Sequence, residues 1–158
     1  MKKTLVAYFS ASGVTAALAK RLADAAGADL FEIVPETLYT AADLDWRDKN
    51  SRSSVEMNDR SARPAIGSKV DDMSRYETVF VGFPVWWYRE PSIIDTFMEA
   101  YDFTGKTVVP FATSGSSGIG DSSENMQALA PAAKVVPGKR FDKNASAEVL
   151  CDWAKEWL

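Results

Sequence analysis

Leu5-Val6-Ala7-Tyr8-Phe9-Ser10-Ala11-Ser12-Gly13-Val14-Thr15 is the stretch on which the fold turns. Its first half is a short apolar run rich in strand formers, the mark of a strand buried on both faces. A Ser/Gly turn follows. Val14, Leu18, Leu22 and Ala25 then recur at helical spacing, and Gly27 supplies a stop. A buried strand passing through a tight turn into an amphipathic helix is half of a βαβ unit.

The same alternation continues outward. Leu30 to Val34 reads as a second strand closed by Pro35, Thr78 to Phe83 as a third and Thr107 to Ala112 as a fourth. Ile93, Ile94, Phe97 and Tyr101 mark one face of a helix begun near Pro91. Asp121 and Glu124 have capping-box spacing ahead of a helix carrying Met126 and Leu129. Lys134 to Val136 reads as a short fifth strand, and Val149, Leu150, Trp153 and Trp157 as one side of a final helix. Strands alternating with helices imply an α/β fold: a three-layer, doubly wound sandwich around a parallel sheet. The irregular stretch, Glu36 to Tyr76, is too long for a structureless connection and is expected to hold a helix around Ala41 to Asn50. There is no repeat and no linker, so residues 1–158 form one domain.

Composition removes several mechanisms. With no histidine, Ser-His-Asp and Cys-His catalysis and HExxH zinc sites are excluded. With one cysteine, Cys151, neither an intrachain disulfide nor a four-cysteine metal site can form; we read it as a small structural residue. The net charge of −4 argues against nucleic acid as a partner. Lys2, Lys3 and Ala17-Leu18-Ala19 imitate a signal peptide, but Ser10, Ser12 and Gly13 interrupt the apolar run, so secretion is not expected. Nor is a membrane span. The Asn144-Ala145-Ser146 triplet would matter only in a secreted chain. Gly105-Lys106-Thr107 lacks the earlier glycine of a phosphate-binding P-loop and reads as a surface turn. Receiver domains need acidic residues where Phe9 and Ser10 stand.

Ligands of open parallel sheets bind beyond the carboxyl ends of the strands, so three loops matter. Ser10, Ala11, Ser12, Gly13, Val14 and Thr15 combine three hydroxyls with free N–H groups at a helix N-terminus, an anion site built from neutral donors. An ordinary N-cap would use the same residues. Pro84, Val85, Trp86, Trp87 and Tyr88 follow the third strand. Consecutive side chains cannot all face inward, so at least one aromatic is exposed, either to stack on a planar ligand or as a packing plug or protein interface. The third loop, Thr113 to Asp121, with Ser114, Gly115, Gly118 and Gly120, is small and rich in backbone donors; it suits the polar edge of a heterocycle, or is a plain flexible loop.

Together these loops make the chain resemble the flavodoxin family. Ser10, Ser12, Gly13 and Thr15 fill its [ST]-x-[ST]-G-x-T phosphate fingerprint, and Gly82-Phe83-Pro84-Val85-Trp86-Trp87 looks like the flavin-side loop of one subgroup, as do Asp43 to Trp46 and Arg63-Pro64. The resemblance implies a five-stranded parallel sheet in the order 2-1-3-4-5 and FMN as cofactor. Residues 10–15 would hold its phosphate, 84–88 would flank its ring system, and 113–120 would meet its pyrimidine edge. It further implies electron transfer between redox partner proteins by a cytoplasmic monomer, with no catalytic side chain. An NAD(P)H-dependent quinone or flavin reductase on the same fold is the alternative, and a binding module that has lost its flavin a third. Two departures stand out. The third loop has no aromatic, so cover for the flavin falls to Trp86, Trp87, Tyr88 or Trp46. Residues 85–90 contain no glycine, where many flavodoxins have one whose peptide turns toward the flavin. Arg89 adds a cation which, if it points inward, would raise the flavin potential.

Overall fold

The structure is a computed structural model, and it describes residues 3–114 and 118–158. Its elements in chain order are β1 (Lys3–Tyr8), α1 (Val14–Ala26), β2 (Asp29–Glu32), α2 (Arg52–Met57), β3 (Tyr76–Pro84), α3 (Ser92–Ala100), β4 (Thr107–Thr113), α4 (Ser122–Leu129), β5 (Lys134–Val135), β6 (Lys139–Phe141) and α5 (Ala147–Ala154). The named strands pair in parallel among the described residues, in the order β2-β1-β3-β4-β5, with β6 also on β4. This is the order that the resemblance implied.

Alternation along the strands divides the core in two. Leu5, Ala7, Phe9, Val79, Val81 and Phe83 face Ile93, Ile94, Phe97 and Met98 of α3 and Met126 of α4. Val6, Tyr8, Phe80, Val109 and Phe111 face Leu18 and Leu22 of α1 and Leu150 of α5. Phe80 also meets Trp153 and Trp157 edge-on, at centroid distances of 5.6 and 6.5 Å. Gly82 is required on that face: a Cβ there would lie 2.2 Å from the Phe111 ring.

The fifth position of the sheet is broken in two. Lys106 O and Val108 O accept from Lys134 N and Val136 N, so even-numbered β4 residues bond toward this edge. Pro110 has the same parity and no N–H to offer, and the edge strand parts beside it. Gly138 bridges the gap, where a Cβ would lie 2.6 Å from Pro110 O. The fifth strand expected over residues 134–136 is present as β5, and β6 is a second edge piece beyond the expected range.

Three local expectations are corrected. Residues 41–50 form turns, and the helix of the long connection is α2, capped by Ser51, whose Oγ accepts from Ser54 N. The reason is competition: the Asp45 and Asp48 carboxylates take the backbone N–H groups of Arg47 and Asn50, which a helix over these residues would need. Asp121 precedes α4 but makes no side-chain cap; instead Ser122 Oγ donates to Ile119 O. Val149 is exposed, not packed with Leu150 and Trp153. Gly27 does end α1, at φ 64°.

Candidate functional site

β1 delivers the first loop to the N-terminus of α1. Gly13 occupies the N-cap position at φ 90°, and no side chain caps the helix. Its own N–H donates to Ser10 Oγ at 3.1 Å. The first turn of α1 carries no acid, whereas Asp95 and Glu124 stand in the first turns of α3 and α4. Among the described residues no acid therefore screens the positive end of the α1 dipole from within that turn, and none beyond its chain neighbours has an atom within 4 Å of where a Gly13 Cβ would be. Ser12 and Gly13 are exposed, and Ser10, Ala11 and Val14 are half-buried. Thr15 is buried, its hydroxyl 2.7 Å from that of Thr113 at the end of β4. The side-chain N-cap of the alternative reading is not formed.

The second loop is a tight hairpin. Trp86 N and Arg89 O, and Arg89 N and Trp86 O, pair at 3.1 Å around Trp87 and Tyr88. Both central residues have positive φ, 49° and 64°. This turn favours Asn-Gly, and each bulky residue held there costs about 1–2 kcal/mol. Such strain is typical of functional loops. The aromatics divide their labour. Trp86 points inward, edge-on to Phe9 and Tyr39 with both centroids 5.5 Å away. Tyr39 is itself covered by the Arg52 guanidinium and bonded to Glu56, and burial, then Glu56, pushes its hydroxyl pKa well up. Trp87 is 38% and Tyr88 75% exposed. Tyr88→Gly is therefore expected to raise stability by about 0.5–1 kcal/mol, measured by urea unfolding, through relief of positive φ less the added chain entropy.

Trp46, 71% exposed, stands across from this hairpin on the 40–50 turns. Trp46, Val85, Trp86, Trp87 and Tyr88 line a cleft of about 400 Å³. A larger cavity, about 780 Å³, lies at the opposite end of the sheet among Lys3, Glu77, Thr78, Lys134 and Trp157. We assign the site to the smaller cleft, because the helix N-termini gather at the carboxyl ends of the strands.

The third loop leaves β4 at Thr113, whose carbonyl accepts from Val85 N and so ties it to the second. Gly115 lies outside the described residues, as do Ser116 and Ser117. Gly118 is exposed; Gly120, at φ 62°, packs against the Tyr88 carbonyl. Residues from all three loops thus come together. The sequence reading missed Arg140 on β6, which donates to Ser114 O at 2.8 Å and Ser114 Oγ at 3.2 Å and brings a cation to the third loop. Its signal was hidden because that strand was expected to end earlier. Arg89, expected as a cation beside the ligand, is buried among Glu90, Asp95 and Ser92.

An uncapped helix N-terminus and an aromatic-lined cleft thus share the carboxyl edge of a doubly wound α/β sheet. The family model described as flavodoxin matches residues 3–157. Two proteins described as flavoproteins superpose with a TM-score of 0.92: one from Bacteroides uniformis is 51% identical, covering 98% of each chain, and one from Bacteroides eggerthii is 47% identical, covering 99% of this chain and 98% of that one. A flavoprotein from Lactobacillus acidophilus, solved in complex with FMN, shares the fold at 23% identity and a TM-score of 0.71, covering 89% of this chain and 93% of its own. No curated protein matches in sequence. The chain belongs to the flavodoxin family.

Proposed function

We propose that this protein binds FMN and carries electrons between redox partner proteins. The observation that carries the reading is the unscreened, uncapped N-terminus of α1 on the same edge as the Trp46–Tyr88 cleft. Together they suit a terminal phosphate and a planar ring system. The flavin supplies the redox chemistry when bound. Ser10, Ser12, Gly13 and Thr15 hold the phosphate with neutral donors, and the Trp86–Arg89 hairpin walls the ring system and excludes water. Thr113, Ser114, Gly118 and Gly120 serve the polar edge. The chain has no histidine to act as an acid or base, which fits a carrier. No described helix is long and apolar enough to cross a membrane, and we place the protein in the cytoplasm as a monomer.

The test is an absorption spectrum after mixing with FMN and desalting, followed by anaerobic reductant titration and an NAD(P)H turnover assay. Retained flavin without NAD(P)H turnover supports the carrier. Retained flavin with turnover assigns a reductase instead, and no retained flavin overturns both. Trp46→Ala is expected to weaken FMN binding about tenfold, the loss of one stacking contact of roughly 1.4 kcal/mol, with unfolding stability unchanged within about 0.5 kcal/mol.

A further inference from the structure

The aromatic hairpin stands on a buried charge cluster that the flavin reading does not use. Arg89 is 5%, Glu90 0% and Asp95 4% exposed. Arg89 Nη1 lies 3.8 Å from Glu90 Oε2 and 3.6 Å from Asp95 Oδ2. Its remaining contacts go to Glu90 O, Met57 O and Ser92 Oγ. One guanidinium therefore faces two carboxyl groups.

The donors around them do not close the account. Asn125 Nδ2, from α4, donates to Glu90 Oε1 at 3.0 Å. Glu90 Oε2 and Asp95 Oδ1 are buried with no hydrogen-bond partner among the described residues. The other charged groups nearby are engaged elsewhere. Arg60 donates to Asn125 Oδ1, Arg63 pairs with Glu99, and Glu56 holds Tyr39 and Arg52. Two ionised carboxylates with orphan oxygens would be costly in this setting. A single proton resolves both: a neutral Asp95 donates its O–H to the Glu90 carboxylate, and the cluster with Arg89 becomes electrically neutral.

We propose that Asp95 is a positioning residue which, while protonated, donates a hydrogen bond to Glu90 and so fixes the stem of the Trp86–Arg89 hairpin that walls the cleft. Arg89 closes that hairpin through both of its backbone bonds to Trp86, so the cluster and the aromatic wall are mechanically one unit. Losing the proton leaves two buried anions against one cation and frees the hairpin. Burial, and then Glu90 beside it, push the Asp95 pKa up to about 8 against the opposing pull of Arg89. The sign follows from proton uptake. Between the ordinary aspartate value, 3.8, and about 8, the folded chain holds a proton that the unfolded chain has released. This contribution to stability is therefore full below that window, declines as pH rises through it, and is constant above it.

The experiment titrates the tryptophan fluorescence of flavin-free protein from pH 6 to 9.5, in a Cys151→Ser background because cysteine thiols as a class ionise in the same range. The background protein is expected to show a transition centred near pH 8, and Asp95→Asn, which keeps the shape and a donor for Glu90, is expected to show none. Glu90→Gln removes the neighbouring anion and is expected to move the transition to lower pH. FMN affinity should fall across the transition in the background protein and stay flat in Asp95→Asn. A background protein with no transition, or an Asp95→Asn protein that retains one, overturns the proposal. The affinity arm rests on the FMN reading; the fluorescence arm does not, so failure to bind FMN beside an intact transition overturns only the former.

Discussion

Arg89→Ala is expected to destabilise the protein by about 3–5 kcal/mol, the loss typical of removing one partner from a buried ion pair. Arg89 is the only cation within ion-pair distance of Glu90 and Asp95 among the described residues, and all three side chains are nearly or fully buried. Without it, two carboxyl groups remain in a dry site with Asn125 as the remaining side-chain donor to Glu90. Asp95 is protonated near pH 5 and ionises at about pH 8 in the intact protein, so the deficit should be smaller near pH 5 and largest above about pH 8. Urea unfolding at the two pH values measures it. A loss that does not grow with pH would mean that Arg89 acts through packing alone. The same geometry corrects the expectation that Arg89 raises a flavin potential as a free cation: its charge is already balanced beneath the hairpin.

Gly120→Ala is expected to cost about 2–4 kcal/mol and to weaken FMN binding by more than tenfold. Positive φ alone disfavours a side chain by roughly 1–2 kcal/mol, and overpacking adds about as much again. Here the overlap is with backbone: the new Cβ would lie 2.0 Å from the Tyr88 carbonyl oxygen and 3.0 Å from its carbon. A flexible side chain could swing away, but the Tyr88 peptide is the turn of the hairpin itself. The third loop and the hairpin must therefore separate, opening the cleft. Gly118→Ala is the control. Among the described residues no atom beyond its chain neighbours lies within 4 Å of a Cβ added at Gly118, so that change should leave unfolding stability unchanged within about 0.5 kcal/mol. Equal effects from the two substitutions would show that the contact with Tyr88 does not matter. Equilibrium unfolding and flavin fluorescence quenching measure both quantities.

Much of the molecule was legible in the chain because its signals are local. Leu5 to Phe9 and Thr78 to Phe83 announce buried strands by unbroken apolar runs, and Val14, Leu18 and Leu22 announce α1 by spacing. The Ser10–Thr15 turn into α1 was legible for the same reason: hydroxyls, glycine and helix N-terminus are contiguous, so sequence order is nearly spatial order. Alternation of strand and helix, with right-handed crossovers, fixed the layered class, and the fingerprint pointed to the strand order that the fold then displayed. The long connection misled because the intrinsic pattern of residues 41–50 gives no weight to side chains that compete for backbone donors.

The rest depends on partners far apart in the chain. No local rule places Trp87 and Tyr88 at positive φ; pairing at Trp86 and Arg89 and the pocket under Arg89 hold them there. Whether Trp86 is core or surface depends on Phe9 and Tyr39, and the role of Arg140 on Ser114, 26 residues earlier. Pro110 breaks the edge strand only because the register turns its missing N–H toward Val136 and Gly138. Charge is the clearest case. Chain order puts an arginine, a glutamate and an aspartate within seven residues; burial in the folded chain makes them share one dry site, because the cost of a charge is set by the water that packing removes.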